Sequence, residues 1–285
     1  MSKHTHSIAK GEGAGRPKAP HRPMGHRAFG LLGAVLVPFA QPMVPGHASE
    51  RRVVVGHDGR VPLEAAVAAR YAATGEIRCG GVRGIGQITG GGDVVTSAAH
   101  VFYDEFGRSR ALQGACVFVV DGPGGREEVP LAPDARLCGS TSPYGAAGRH
   151  DWAVARLAHP IRGIRAYEIG GKVKAGDAIT VVAWEGGRKT VDACRVREVV
   201  VGDNGAREIR TDCTGFDGMS GAAYLTPGRD PRVIGVHVGF RSIDPDRPAI
   251  FSDRHYTFGT AVGTVFRRAL AAAESKTDGP TTSSE

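Results

Sequence analysis

Residues 212–224 read Asp-Cys-Thr-Gly-Phe-Asp-Gly-Met-Ser-Gly-Ala-Ala-Tyr, a serine with glycines close on both sides, at the end of a polar turn and before an apolar run. Glycines let the backbone turn more sharply than a side chain would allow. A turn of that kind aims the amides of Gly218 and Ser220 at one point, where a developing oxyanion could sit. A serine hydroxyl is a poor nucleophile at neutral pH and needs a base to take its proton. Upstream, Val-Val-Thr-Ser-Ala-Ala ends in His100, and Asp151 opens the apolar run Trp-Ala-Val-Ala. His100 is the candidate base. Asp151 is the candidate carboxylate that fixes the imidazole tautomer and stabilises the imidazolium, and Ser220 is the candidate nucleophile. Asp93, Asp104 and Asp134 are rival carboxylates, each in a turn-like setting without a following apolar strand. His150 is read as a solvent-facing neighbour of Asp151.

Those residues need strands to hold them. The chain has 285 residues and 42 glycines, with only 6% aromatics, and short valine-rich runs alternate with glycine turns, a pattern of short strands rather than long helices. Residues 51–56 lead into a strand-like run, and strands are expected over residues 82–88, 94–100, 115–120, 127–131 and 151–157, and again over 178–184, 193–201, 207–212, 222–225, 233–238 and 257–262. Residues 63–71 are alanine-rich and read as a short helix or an irregular segment. A terminal amphipathic helix over 264–275 takes Thr264 as its N-cap. An all-β fold follows, two packed six-stranded antiparallel barrels and a C-terminal helix, because closure removes exposed strand edges. The expected divisions are 1–48 as a signal peptide, 49–160 as the barrel with His100 and Asp151, 161–263 as the barrel with Ser220, and 264–285 as helix and disordered tail.

The formal net charge of +7 points at nucleic acid only superficially. The first 48 residues hold six of the basic residues and one acid, leaving thirty basic against twenty-eight acidic, and no basic run is interleaved with aromatics. A nucleic-acid module is therefore not expected. Residues 28–44 are mostly apolar but broken by Pro38 and Pro42, too interrupted for a stable membrane anchor. They precede Gly46-His47-Ala48, where an export signal would be cut after Ala48. Secretion or periplasmic placement then makes the five cysteines a disulfide framework with one thiol over. If the turn is 202–205, Cys194 and Cys213 lie equally far from its centre and face each other across the ladder; the pairing of Cys79, Cys116 and Cys138 stays open. No metal-ligand spacing is present, and no cofactor is expected.

Thr96-Ser97-Ala98-Ala99-His100, Asp151-Trp-Ala-Val and Gly218-Met-Ser220-Gly resemble the three motifs of the chymotrypsin-fold serine endopeptidases, over about residues 53–273. Val53-Val-Val-Gly-His-Asp-Gly-Arg60 and Ile234-Gly-Val-His237-Val-Gly239 look closer to the bacterial glutamyl endopeptidase branch. The resemblance implies a monomeric enzyme acting on protein or peptide substrates through an acyl-enzyme intermediate. It also implies a specificity pocket at Thr214, Gly215, His237 and Gly239, with His237 helping to bind an acidic side chain; on its residues alone His237 reads equally as a core histidine on a strand. Trypsin-like members carry an acid where Thr214 stands, so a preference for Lys or Arg is not implied. The residue before the serine is Met219, which cannot pair with a newly freed amino terminus, so the oxyanion turn is expected to form without that ion pair. Two other readings compete. One is a catalytically silent binding protein on the same scaffold. The other is an α/β-hydrolase esterase, disfavoured by the His, Asp, Ser order and by the lack of strand–helix alternation.

Overall fold

The valine-rich runs form strands in a computed structural model that describes residues 51–275 apart from Asp203 and Asp246. The expected signal peptide, its cut after Ala48 and the tail from residue 277 lie outside the described residues. In chain order the strands are β1 Arg52–Val53, β2 Val61–Pro62, β3 Thr74–Cys79, β4 Val82–Ile88, β5 Val94–Ser97, β6 Cys116–Gly122, β7 Gly125–Cys138 and β8 Ala153–Leu157. Then follow β9 Glu168–Ile169, β10 Ala178–Glu185, β11 Arg188–Val201, β12 Arg207–Thr211, β13 Gly215–Phe216, β14 Ala223–Leu225, β15 Arg232–Arg241 and β16 Tyr256–Ala261. The alanine-rich stretch becomes a one-turn helix α1, Ala65–Ala68, continued by a 3-10 turn to Tyr71, and the terminal helix is α2, Thr264–Glu274.

Strands β3 to β8 close one antiparallel barrel in the order β3-β4-β5-β8-β7-β6. Strands β10, β14, β15, β16, β12 and β11 close a second, because β11 also pairs with β10. The first barrel is sealed by Ile77, Ile88, Val95, Phe118, Val129 and Val154, and the second by Ile179, Val181, Val196, Ile209 and Tyr224, all buried. Alternation along each strand sends these residues inward.

Three details depart from the sequence reading. The segment expected to begin the first barrel serves the second instead: β1 pairs with β13 and β2 with β11. The N-cap of α2 is Gly263 rather than Thr264, and no side chain caps it. The helix lies against the first barrel, on β5, β7 and β8, with Phe266 stacked on Trp152 at a centroid distance of 4.6 Å. The third concerns register. Near the turn β11 pairs Val201 with Arg207 and Val199 with Ile209, but a bulge at Arg197 shifts the ladder so that Val196 faces Thr211. That one-residue slip brings Cys194 and Cys213 together, with Cα atoms 5.1 Å apart in a disulfide. Cys79 is bonded to Cys116, its direct register partner on β6, and Cys138 is the free thiol. Asp192 lies beside the second disulfide, and the two sulfurs there are bonded to each other rather than free as thiolate ligands.

Candidate active site

Pairing of β5 with β8 decides where two of the three residues go. Ser97 lies opposite Ala153, so the residues that leave β5 and those that enter β8 are neighbours. The chain leaving β5 makes a 3-10 turn, Ala99–Val101, in which Ala98, Ala99, Val101 and Phe102 are fully buried, which leaves His100 as the outward side chain. Asp151 ends another 3-10 turn, Gly148–His150, just before β8. Asp151 is buried, and its carboxylate accepts the His100 backbone N–H at 2.9 Å and lies 2.6 Å from His100 Nδ1. One carboxylate thus fixes both the backbone and the ring, which leaves Nε2 as the nitrogen able to accept a proton in the cleft. From the other side, Arg110 donates to the His100 carbonyl at 3.2 Å and to the Tyr144 hydroxyl at 3.3 Å, and the Tyr144 ring meets the imidazole edge-on.

The rival carboxylates are engaged elsewhere. Asp93 pairs with Arg156, Asp104 takes the backbone N–H and the guanidinium of Arg108, and Asp134 takes both from Arg136. His150 sits in the turn before Asp151 and does not line the cleft.

Ser220 comes from the second barrel and is tied to the first. Its carbonyl accepts the Ile85 N–H at 2.7 Å. Gly221 follows at φ +91°, and a Cβ there would stand 2.1 Å from Ile85 O and 2.2 Å from Ser97 Oγ, so only glycine admits this approach. Gly84 leaves matching room on β4, where a Cβ would come within 3.0 Å of Ser220 O. His100, Asp151, Gly218, Ser220, Gly239 and Phe258 all line one cleft of about 470 Å³ between the barrels. The Gly218 and Ser220 amides have no hydrogen-bond acceptor among the described residues. Ser220 Oγ itself donates to the Val238 carbonyl at 3.4 Å, not to His100.

The expected specificity residues are divided. Gly239 lines the cleft. Gly215 lies buried beneath it, where a Cβ would meet Thr257 at 2.7 Å. Thr214 and His237 do not line the cleft and are each 1% exposed. Thr214 donates its backbone N–H to Asp192 at 2.8 Å, and burial raises that carboxyl above its ordinary range. The His237 Nδ1 lies 3.1 Å from the Tyr224 hydroxyl, and burial pushes the imidazole down to about 3, so the ring is neutral at ordinary pH.

No protein-family profile matches the chain and no curated protein matches it. Solved structures do. A Glu endopeptidase in complex with MPD superimposes at TM-score 0.58 and 18% identity, over 78% of this chain and all of that one. A thermostable serine protease, AL20, from an extremophilic microorganism gives 0.53 and 15%, over 73% and 99%. The HtrA-type protease AlgW with a tripeptide gives 0.51 and 16%, over 75% and 62%. The chain has the chymotrypsin fold. In that fold His100, Asp151 and Ser220 line one cleft between the two barrels.

Sequence reasoning missed Arg110 and Tyr144, which brace His100, three further residues that line the cleft, and Asp192 outside it. Arg51 and Asp217 hold the turn before the serine, Asp192 holds the backbone of Thr214, and Arg241 lines the cleft wall. Only Asp217, an acid within a polar glycine turn, carried any local signal.

Proposed function

We propose that the protein is a serine endopeptidase that cleaves peptide bonds through Ser220, His100 and Asp151. The reading is carried by the 2.6 Å contact between His100 and Asp151 at the edge of a cleft that also holds Ser220. The reaction requires the Ser220 hydroxyl to turn from the Val238 carbonyl to His100 Nε2. His100 Nε2 takes its proton as the oxygen attacks the scissile carbonyl, and returns that proton to the leaving amine. The amides of Gly218 and Ser220 receive the oxyanion, at roughly 3 kcal/mol per donor in comparable sites. Water then repeats the sequence on the acyl-enzyme. A fluorophosphonate probe is expected to label the wild type and not Ser220→Ala. Absence of labelling in the folded wild type would favour the silent binding scaffold, to which the Ser220–Val238 hydrogen bond also lends support.

An acidic side chain fits the cleft better than a basic one. Both cleft carboxylates are engaged, Asp151 by His100 and Asp217 by Arg51. Arg241 has no carboxylate partner among the described residues; it packs over the Phe258 ring at 5.5 Å. A substrate acid would meet an unpaired cation there, whereas a substrate base would find no unpaired anion. The neutral, enclosed imidazole of His237 supplies no charge, so Arg241 carries this preference. Two disulfides support an oxidising compartment. Among the described residues no helix is long and apolar enough to cross a membrane.

A further inference from the structure

The turn that presents the Gly218 amide is clamped by the chain two residues before Val53. Met219 N–H donates to Phe216 O at 3.1 Å, closing a four-residue turn over 216–219 whose third residue, Gly218, has φ +94°. That is type II geometry. In a type I turn the third residue needs φ near about −90°. The Asp217–Gly218 peptide is then turned over, and its carbonyl takes the place of the N–H. The choice between the two turns therefore decides whether an oxyanion meets a donor or an acceptor.

Asp217, the second residue of that turn, is held by Arg51 at three points. Its N–H donates to Arg51 O at 3.1 Å, and its carboxylate accepts the Arg51 backbone N–H and the Arg51 Nε–H, each at 3.3 Å. The strand pairing of Arg52 with Phe216 and Val53 with Gly215 continues the contact, and Val53 is fully buried. The ion pair is largely exposed, 69% for the arginine side chain, and adds little by itself. The clamp therefore rests on hydrogen bonding rather than on charge: the Asp217 N–H on the Arg51 carbonyl, the Arg51 N–H on the Asp217 side chain, and the buried strand behind them. Met219, enclosed at 1% exposure, offers no carboxylate that a freed amino terminus at Val53 could use instead.

We infer that Arg51 is a positioning residue for the oxyanion turn, and that the active form is a chain that retains it. A cut between Arg52 and Val53 removes the Arg51 carbonyl and releases Asp217, so it lowers activity where a trypsin-like activation would raise it. The kinetic part of this inference rests on the endopeptidase reading; the conformational part does not.

The decisive comparison is between the chain lacking residues 1–50 and the chain lacking residues 1–52, with the full chain as reference. Loss of residues 1–50 should leave kcat near the full-chain value. Loss of two more should lower kcat about tenfold or more with KM within about twofold, since the turn acts on the transition state. The Gly218 amide resonance should move between the two shortened chains. In the full chain, Asp217→Ala should lower kcat about fivefold, the scale of one lost hydrogen bond, and Asp217→Asn, which keeps an acceptor, should recover most of it. Equal or higher kcat in the chain lacking 1–52, with an unmoved Gly218 resonance, overturns the inference. If that chain does not fold, by circular dichroism, the Asp217 pair decides, and unchanged kcat in Asp217→Ala overturns it. If the Gly218 resonance moves while no chain hydrolyses peptide or takes the probe, the endopeptidase reading falls and the clamp stands.

Discussion

Ile85 donates its backbone N–H to the carbonyl of Ser220 at 2.7 Å, so a strand of the first barrel fixes the main chain of the candidate nucleophile on the second. The bond crosses 135 positions of sequence and ties the serine to the barrel that carries His100 and Asp151.

Gly221→Ala tests that junction. The new methyl would lie 2.1 Å from Ile85 O at a φ that L-residues resist. Stability is expected to fall by about 2–4 kcal/mol, and probe labelling to be lost even where the protein stays folded. Urea denaturation and labelling measure the two effects separately, and a variant of wild-type stability would contradict the close approach.

Asp151→Asn removes the charge that supports an imidazolium while nearly preserving shape. In triad hydrolases such a change costs about 10⁴-fold in kcat, and a loss of that order is expected with substrate affinity little altered. A loss below about tenfold would assign Asp151 a packing role only.

The buried imidazole of His237 makes a pH prediction. Its pKa lies at about 3 in the folded chain, against an ordinary value of 6.5 when unfolded, so between those values the unfolded state binds a proton that the folded state refuses. Its stabilising contribution is complete above about pH 6.5 and is lost as pH falls toward 3, at about 1.4 kcal/mol per pH unit. Denaturation between pH 7 and pH 4 should show a shallower slope in His237→Gln than in the wild type. Parallel curves would place the ring in water.

Arg241→Gln checks the substrate preference. The ratio of kcat/KM for a peptide with Glu before the scissile bond to its Gln counterpart should fall about tenfold or more, with the Gln peptide cleaved as before. A ratio that moves only in His237 variants would return the recognition of acidic side chains to His237.

Much of the architecture was legible because it depends on local period. The alternation of Val82, Gly84, Gly86 and Ile88 marks β4, and the Pro123-Gly124 turn sets the β6–β7 register with Gly122 opposite Gly125. The cysteines show where that legibility stops. Symmetry about the 202–205 turn put Cys194 opposite Cys213, yet the ladder near the turn runs one residue off that register, and a bulge at Arg197 restores it. A bulge answers to packing against neighbouring strands and leaves little trace in composition.

By itself the sequence determined the residue types able to do the chemistry, the order in which they occur, and the strand periodicity that closes two barrels, because these depend on side-chain chemistry and near-neighbour spacing. Tertiary structure decided which carboxylate reaches His100, that Arg51 is bonded to Asp217 in the turn before Ser220, and that His237 is enclosed while Arg241 lines the cleft. Each of those outcomes depends on contacts between residues far apart in the chain, whose distances are set only when the two barrels close and pack.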